Sequence, residues 1–235
     1  MTVSSSKFHF LDTNVLLKHA NNDSGEASED IERILTEAAY GQRRLWVSSV
    51  LYAEFRPSAF LPSGRFPNLD RFVAYVSGVT TTVSPTPETM LRAARLRDLT
   101  WVRHPEIREK DEKPRYMTLG DSIHLATALW VKEALDIGDE LEFLTFDDGK
   151  AKTNEAEDGK KSLSMLRLQD YTYDIADNPD VMAVVALKRI KPLLVNPTLA
   201  VPSPIPAPAA TGVVAPTPSS VSQSPSGAPL NTPKE

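Results

Sequence analysis

Acidic side chains stand where four apolar runs give out. They are Asp12, Glu54, Asp121 and Asp147, the last with Asp148 beside it. The clearest case is the first, where Phe8-His9-Phe10-Leu11 reads as a short buried strand that runs straight into Asp12. A carboxylate in that place is how an open α/β sheet delivers charge to the crevice beyond its strand ends. One such acid means little, but four suggest a metal site. Hard divalent cations take oxygen ligands, and Mg²⁺ typically uses one or two carboxylates together with waters and substrate phosphate. With no cysteine and no histidine cluster, the set suits Mg²⁺ or Mn²⁺ better than zinc. The matching chemistry is phosphodiester hydrolysis, in which a metal activates water and shields charge on phosphorus, and two metals hold both the attacking and the leaving oxygen.

Each acid also has a structural explanation. Asp12 is suited to an Asx turn or an N-cap for the amphipathic segment beginning near Thr13. Thr118-Leu119-Gly120-Asp121 has the spacing of a capping box. Glu54 reads as a solvated residue near the end of a short helix, and Asp147-Asp148-Gly149 is a turn sequence. The functional case rests on joint placement, since four coincidences are less probable than one.

The remaining elements are those needed to hold such junctions. A helix opens at Ser28 as N-cap, with acids in its first turn and Ile31, Ile34, Leu35 and Ala38 on one face, and Gly41 closes it. Residues 45–48 form a second strand, and Ser49 caps a short helix that carries Glu54 and stops near Pro57. After a Pro/Gly loop over 57–67, Asn68 caps a helix to about Ser77 with Gly78 as terminator. Residues 79–84 are β-branched and read as a third strand, and Thr86-Pro87 opens a helix with Met90, Ala93, Ala94 and Leu96 as its apolar side. A charged exposed loop is expected over 103–115. Thr118 then opens the best-patterned helix, running through Leu135 to a stop at Gly138. Residues 141–145 are a fourth strand, 150–160 a polar insert, 163–168 a weaker strand, and Asn178-Pro179 caps a last helix to about Ile190. Alternation of strands and helices calls for a parallel sheet covered on both faces, an α/β/α sandwich of about five strands.

The chain has 235 residues and a net charge of −5, with an isoelectric point near 5.5. Non-specific nucleic-acid binders are usually basic, so any contact with RNA must be local. The absence of cysteine excludes disulfides and thiolate metal sites and fits a reducing compartment. No apolar run approaches the roughly 18 residues of a membrane span, and the short polar N-terminus has no signal-peptide pattern, so a cytoplasmic protein is expected. From residue 191 the composition turns to Pro, Ala, Ser, Thr and Val with no aromatic residue. Residues 1–190 are therefore read as one domain, and 191–235 as a disordered extension that cannot bury enough apolar area to order itself.

Four segments carry a resemblance: Leu11-Asp12-Thr13-Asn14, Ala53-Glu54-Phe55, Gly120-Asp121-Ser122-Ile123-His124-Leu125-Ala126-Thr127-Ala128 and Leu144-Thr145-Phe146-Asp147. In order and spacing they resemble the acidic motifs of the PIN-domain family, which includes the VapC-type toxins of bacterial toxin–antitoxin pairs. The resemblance covers roughly residues 8–168. It implies a three-layer fold around a parallel sheet, with Asp12, Glu54, Asp121 and Asp147 holding one or two Mg²⁺ or Mn²⁺ ions and with cleavage of single-stranded or structured RNA. Asn14 and Thr145 match the flanking polar positions, and Asp148 stands as a substitute or assistant for Asp147. The long 99–117 segment, the insert after Asp148 and the Pro-rich tail depart from compact members.

Other residues invite smaller readings. Lys18, His19 and Arg56 could meet phosphate or pair with surface acids. His124 could lie beside the metal, though a half-buried helix histidine is the plainer reading. Arg103, His104, Arg108, Lys110, Lys113 and Arg115 could guide RNA, with Trp101 and Tyr116 for stacking, or form a plain solvated loop. Trp46 and Trp130 fit the core. The faces Ile31/Ile34/Leu35 and Phe72/Val73/Val76 are candidates for joining two copies in a homodimer. The expectation is a metal-dependent endoribonuclease, a toxin restrained by a separate antitoxin. The alternatives are a PIN-like RNA- or protein-binding module that does not cut, and a phosphoryl-transfer enzyme with Asp12 as nucleophile.

Overall fold

The computed structural model describes residues 7–22, 27–60, 64–110, 112–149 and 161–193. The insert at 150–160 and the extension from 194 onward lie outside the described residues. A five-stranded, all-parallel sheet in the order β3-β2-β1-β5-β7 forms the middle layer. Its strands are β1 (Phe8–Leu11), β2 (Arg44–Ser48), β3 (Thr81–Val83), β5 (Leu141–Leu144) and β7 (Lys188–Ile190). A separate parallel pair joins β4 (Arg115–Tyr116) to β6 (Lys161–Ser162).

Helices cover both faces, as a parallel sheet requires. Leu11, Leu45, Val47, Leu144 and Ile190 face one core, shared with α1 (Thr13–Ala20), α2 (Ser28–Ala39), α3 (Leu51–Glu54) and α4 (Leu69–Val79). Phe10, Trp46, Phe143 and Leu141 face the other, shared with α5 (Pro87–Asp98), α6 (Leu119–Ala134) and α7 (Pro179–Ala186). Successive residues Phe10 and Leu11 thus serve opposite cores, as the period of two demands. Among the described residues no helix is long and apolar enough to cross a membrane.

Strands β1, β2 and β3 are laid down in one direction from the centre, β5 and β7 in the other. The reversal falls between β1 and β5, which pair from Phe8↔Leu141 to Leu11↔Leu144. Crevices outside the strand C-termini at such a switch point are where open α/β sheets bind ligands.

The caps expected at Asn68, Thr86, Thr118 and Asn178 all accept from backbone N–H groups in the first turns of their helices. Elsewhere the sequence reading needs correction. Ser28 is the first residue of α2 rather than its cap, and Val50, not Ser49, precedes α3. Helix α4 runs through Gly78 to Val79, so β3 is shorter than 79–84; Thr80 ends the helix, its hydroxyl donating to the Val76 carbonyl at 2.8 Å. Leu135 and the left-handed Asp136 end α6 before Gly138. Residues 163–168 are not a strand. The fifth strand is β7, which the sequence reading had placed at the end of the last helix by running it to about Ile190; α7 stops at Ala186. The 103–115 segment is tethered rather than wholly free: Arg103 and Arg115 both pair with Glu112 and lie over the Tyr171 ring. Met90 is exposed, and Thr89, Ala93 and Leu96 are the buried side of α5.

The faces suggested for a homodimer are occupied within the chain itself. Ile31, Ile34, Leu35, Phe72 and Val76 are buried in one shared core where α2 packs against α4.

Candidate functional site

Strand β1 ends by handing Asp12 to the crevice, its backbone N–H donating to the Leu144 carbonyl at 3.0 Å. Asp12 precedes α1 but does not cap it with its side chain. Instead Oδ2 accepts from Thr145 Oγ1 at 2.6 Å and from Asn14 Nδ2 at 2.7 Å. Asn14 Nδ2 also donates to Thr145 Oγ1 at 3.1 Å, while Asn14 Oδ1 accepts from the Phe146 N–H at 3.0 Å. Thr145 Oγ1 in turn accepts from the Asp147 N–H at 3.0 Å. These bonds stitch the ends of β1 and β5 together, and each donor and acceptor role is consistent with the next.

Asp147 grips the chain beyond β5. Oδ1 accepts from the Gly149 N–H at 2.9 Å, closing the Asx turn, and Oδ2 accepts from the Met165 N–H at 3.2 Å. Gly149 is obligatory in this turn: its φ is +73°, and a Cβ would stand 2.6 Å from the Ser164 Cβ. Asp148 follows, half-buried; burial raises the pKa of Asp147 against the Gly149 and Met165 hydrogen bonds, and the Asp148 charge adds a smaller push in the same direction. Asp121 sits in the first turn of α6, its Oδ2 accepting from Thr118 Oγ1 at 2.6 Å while its N–H donates back at 3.2 Å. Capping and site geometry are therefore not exclusive, because that arrangement engages only one carboxylate oxygen.

Glu54 reaches in from α3. Its Oε2 accepts from the Thr13 hydroxyl and lies 2.9 Å from His124 Nε2, which is 3.1 Å from Thr13 Oγ1. His124 is not half-buried as the sequence suggested but 1% exposed.

The four acids divide electrostatically. Burial pushes Asp12 up; His124 and the Thr145 hydrogen bond oppose this, and the charges of Glu54 and Asp147 add to it. Desolvation, then the nearby Asp12 charge, pushes Asp121 up to about 7. Burial also raises Asp147. Glu54 is the exception: burial would raise it, but the His124 hydrogen bond and charge and the Thr13 hydroxyl hold it below its usual range. His124 shows the counterpart, with burial lowering its basicity and Glu54, Asp12 and Asp121 raising it further than burial lowers it. Among the described residues, no Lys or Arg forms an ion pair with Asp12, Asp121 or Asp147.

Hard-cation chemistry suits this donor set. Asp12 Oδ1, Asp121 Oδ1 and Glu54 Oε1 accept no hydrogen bond from the described residues. No group of three or more His, Asp or Glu among the described residues is arranged to hold a metal ion as it stands. Mg²⁺ does not need such a cage, because it retains waters and shares its remaining positions with substrate phosphate.

Of the basic and aromatic candidates, Lys18 lies over the Phe146 ring at 4.6 Å, one turn along α1 from Asn14, and Arg56 is exposed. His19 is buried against Tyr75 and Phe66 and belongs to the core. Trp101 is fully buried with its indole N–H on the Leu96 carbonyl, so it cannot stack on a base; Tyr116 is exposed. Sequence reasoning missed Thr13, Gly120 and the Met165 amide, whose roles exist only once distant segments meet. No protein-family model and no curated protein matches this chain.

Proposed function

We propose that the chain is a Mg²⁺- or Mn²⁺-dependent endoribonuclease, the toxin of a toxin–antitoxin pair. One observation carries the reading: at the switch point of a parallel sheet the charges of Asp12 and Asp147 raise the proton affinity of Asp121, and that of Asp147 raises Asp12. Among the described residues no Lys or Arg pairs with any of the three, and the charge that opposes the rise is that of His124. Concentrating negative charge that one histidine offsets only in part is costly to a fold, and a divalent cation relieves it. Three of the four motifs that resemble the PIN-domain family supply those aspartates and the fourth supplies Glu54, which favours RNA as the substrate.

Mg²⁺ or Mn²⁺, when bound, supplies a Lewis acid for the phosphodiester and a means of activating water for in-line attack. The residues that would hold it are Asp12, Asp121 and Asp147, with Glu54 assisting. Thr145 and Asn14 fix the Asp12 rotamer by loading Oδ2, so Oδ1 is presented in one orientation. Thr118 does the same for Asp121. The Gly149 and Met165 amides hold Asp147. No protein nucleophile or base is required.

Asp12→Asn keeps the Thr145 contact geometry but removes the charge. Its cleavage of a labelled single-stranded RNA in Mn²⁺ should vanish, with circular dichroism and melting temperature retained. A folded Asn variant that cuts at the wild-type rate rejects the assignment. That no group of His, Asp and Glu among the described residues is arranged as a ready-made cage favours a second reading, a module that binds RNA or protein without cutting. RNA binding that persists in EDTA, with no products in Mn²⁺, would select it.

A further inference from the structure

Glu54 is delivered by a helix of four residues, too short to be stable by itself, so its carboxylate must be fixed by other elements. Two side chains do so. The Thr13 hydroxyl, in the first turn of α1, donates to Oε2, and His124 Nε2, on α6, lies 2.9 Å from the same oxygen. An ionised carboxylate only accepts, so the proton between them belongs to His124 Nε2. The other ring nitrogen, Nδ1, is buried with no hydrogen-bond partner among the described residues. A buried polar atom left unpaired is destabilising, and an apolar side chain at 124 would avoid that cost. What the histidine provides must therefore lie at Nε2.

The other carboxylate oxygen is confined from a different direction. A Cβ at residue 120 would stand 2.0 Å from Glu54 Oε1. Only glycine leaves that space, and the next residue is Asp121. We propose that Thr13 and His124 are positioning residues that present Glu54 to the metal through Oε1 alone, and that Gly120 is the notch through which that oxygen passes. The inference rests on the metal-dependent reading above.

The test measures Mn²⁺ affinity by electron paramagnetic resonance and calorimetry, kcat and KM on labelled single-stranded RNA, and melting temperature in EDTA. Thr13→Val, His124→Leu and Gly120→Ala should each weaken Mn²⁺ about tenfold, the scale of losing an orienting partner, and match Glu54→Gln. Thr13→Ser and His124→Gln, which keep a donor in place, should recover most of the affinity. Gly120→Ala should melt near the wild type, because the atom it displaces is the end of a flexible side chain. Added to Glu54→Gln, none of the three should cost anything further. If Glu54→Gln weakens Mn²⁺ while Gly120→Ala and Thr13→Val bind it like the wild type, the positioning roles are wrong and the nuclease reading stands. Losses that add to that of Glu54→Gln overturn the inference in the same way. If the wild type binds no Mn²⁺, the nuclease reading falls and this inference with it. Should His124→Leu fail to fold, the Thr13 and Gly120 variants decide alone.

Discussion

Asp121 shows how one side chain can serve a helix and a site together. Its N–H and one carboxylate oxygen complete a cap with Thr118, and the second oxygen takes no bond from the described residues. Its pKa, pushed up to about 7 by desolvation and by Asp12, marks a charge the fold carries at a loss. Asp121→Asn keeps the shape and removes the repulsion. In EDTA at pH 8 this variant should be more stable than the wild type by about 1–2 kcal/mol, measured by urea denaturation, and inactive in Mn²⁺. A less stable Asn variant would mean that the carboxylate is needed for the cap rather than for a ligand. In the sequence, Thr118-Leu119-Gly120-Asp121 could not separate those roles, because a capping aspartate and a ligand aspartate are the same residue in the same place.

Among elements, α7 and β7 carry the clearest departure from the sequence reading. Residues 181–187 are wholly apolar and could continue a helix into Lys188-Arg189-Ile190, and helical and buried-strand patterns are hard to distinguish over so short a run. Arg189 decides the break. Its side chain is half-buried, and desolvation lowers its pKa to about 10. It donates to the Val184 carbonyl, to the Leu187 carbonyl at 2.7 Å, to Gln169 Oε1 at 3.0 Å and to the Met165 carbonyl at 2.8 Å. The first two cap the end of α7. The last anchors the peptide segment whose N–H holds Asp147. A lysine has one point donor in place of a planar fork and cannot reach all four acceptors. Arg189→Lys should lose about 1–3 kcal/mol and speed hydrogen exchange at the Met165 and Leu166 amides. Unchanged exchange there would show that the link to Asp147 carries no constraint.

At the scale of the molecule, two cores separated by one sheet make the fold sensitive to acid at a point away from the crevice. His19 is buried against Tyr75 and Phe66, its Nδ1 without a hydrogen-bond partner among the described residues. Burial, then the Arg65 charge, lowers its pKa to about 4. Its folded value lies below the unfolded one near 6.5, so the unfolded chain binds the extra proton between those values. The contribution of a neutral His19 is therefore present above pH 6.5 and is lost as pH falls toward 4. Wild type should lose of order 2 kcal/mol more than His19→Phe between pH 7 and 4.5, read by chemical denaturation at both values. Parallel losses in the two proteins would place the acid sensitivity elsewhere.

Local patterns determined much by themselves: the α/β class, four strands of the main sheet, the capping residues of four helices and the positions where acids leave apolar runs. Those features depend on neighbours within a turn or a strand, where periodicity and side-chain chemistry act directly. The pairing order, and so the switch point between β1 and β5, came only with the tertiary structure. So did the Asn14–Thr145 bridge, the Thr13–Glu54–His124 contact and the space above Gly120. Each joins segments between 41 and 131 residues apart, and packing alone brings such segments together: the two faces of the sheet must each be buried, and few arrangements of these helices bury both.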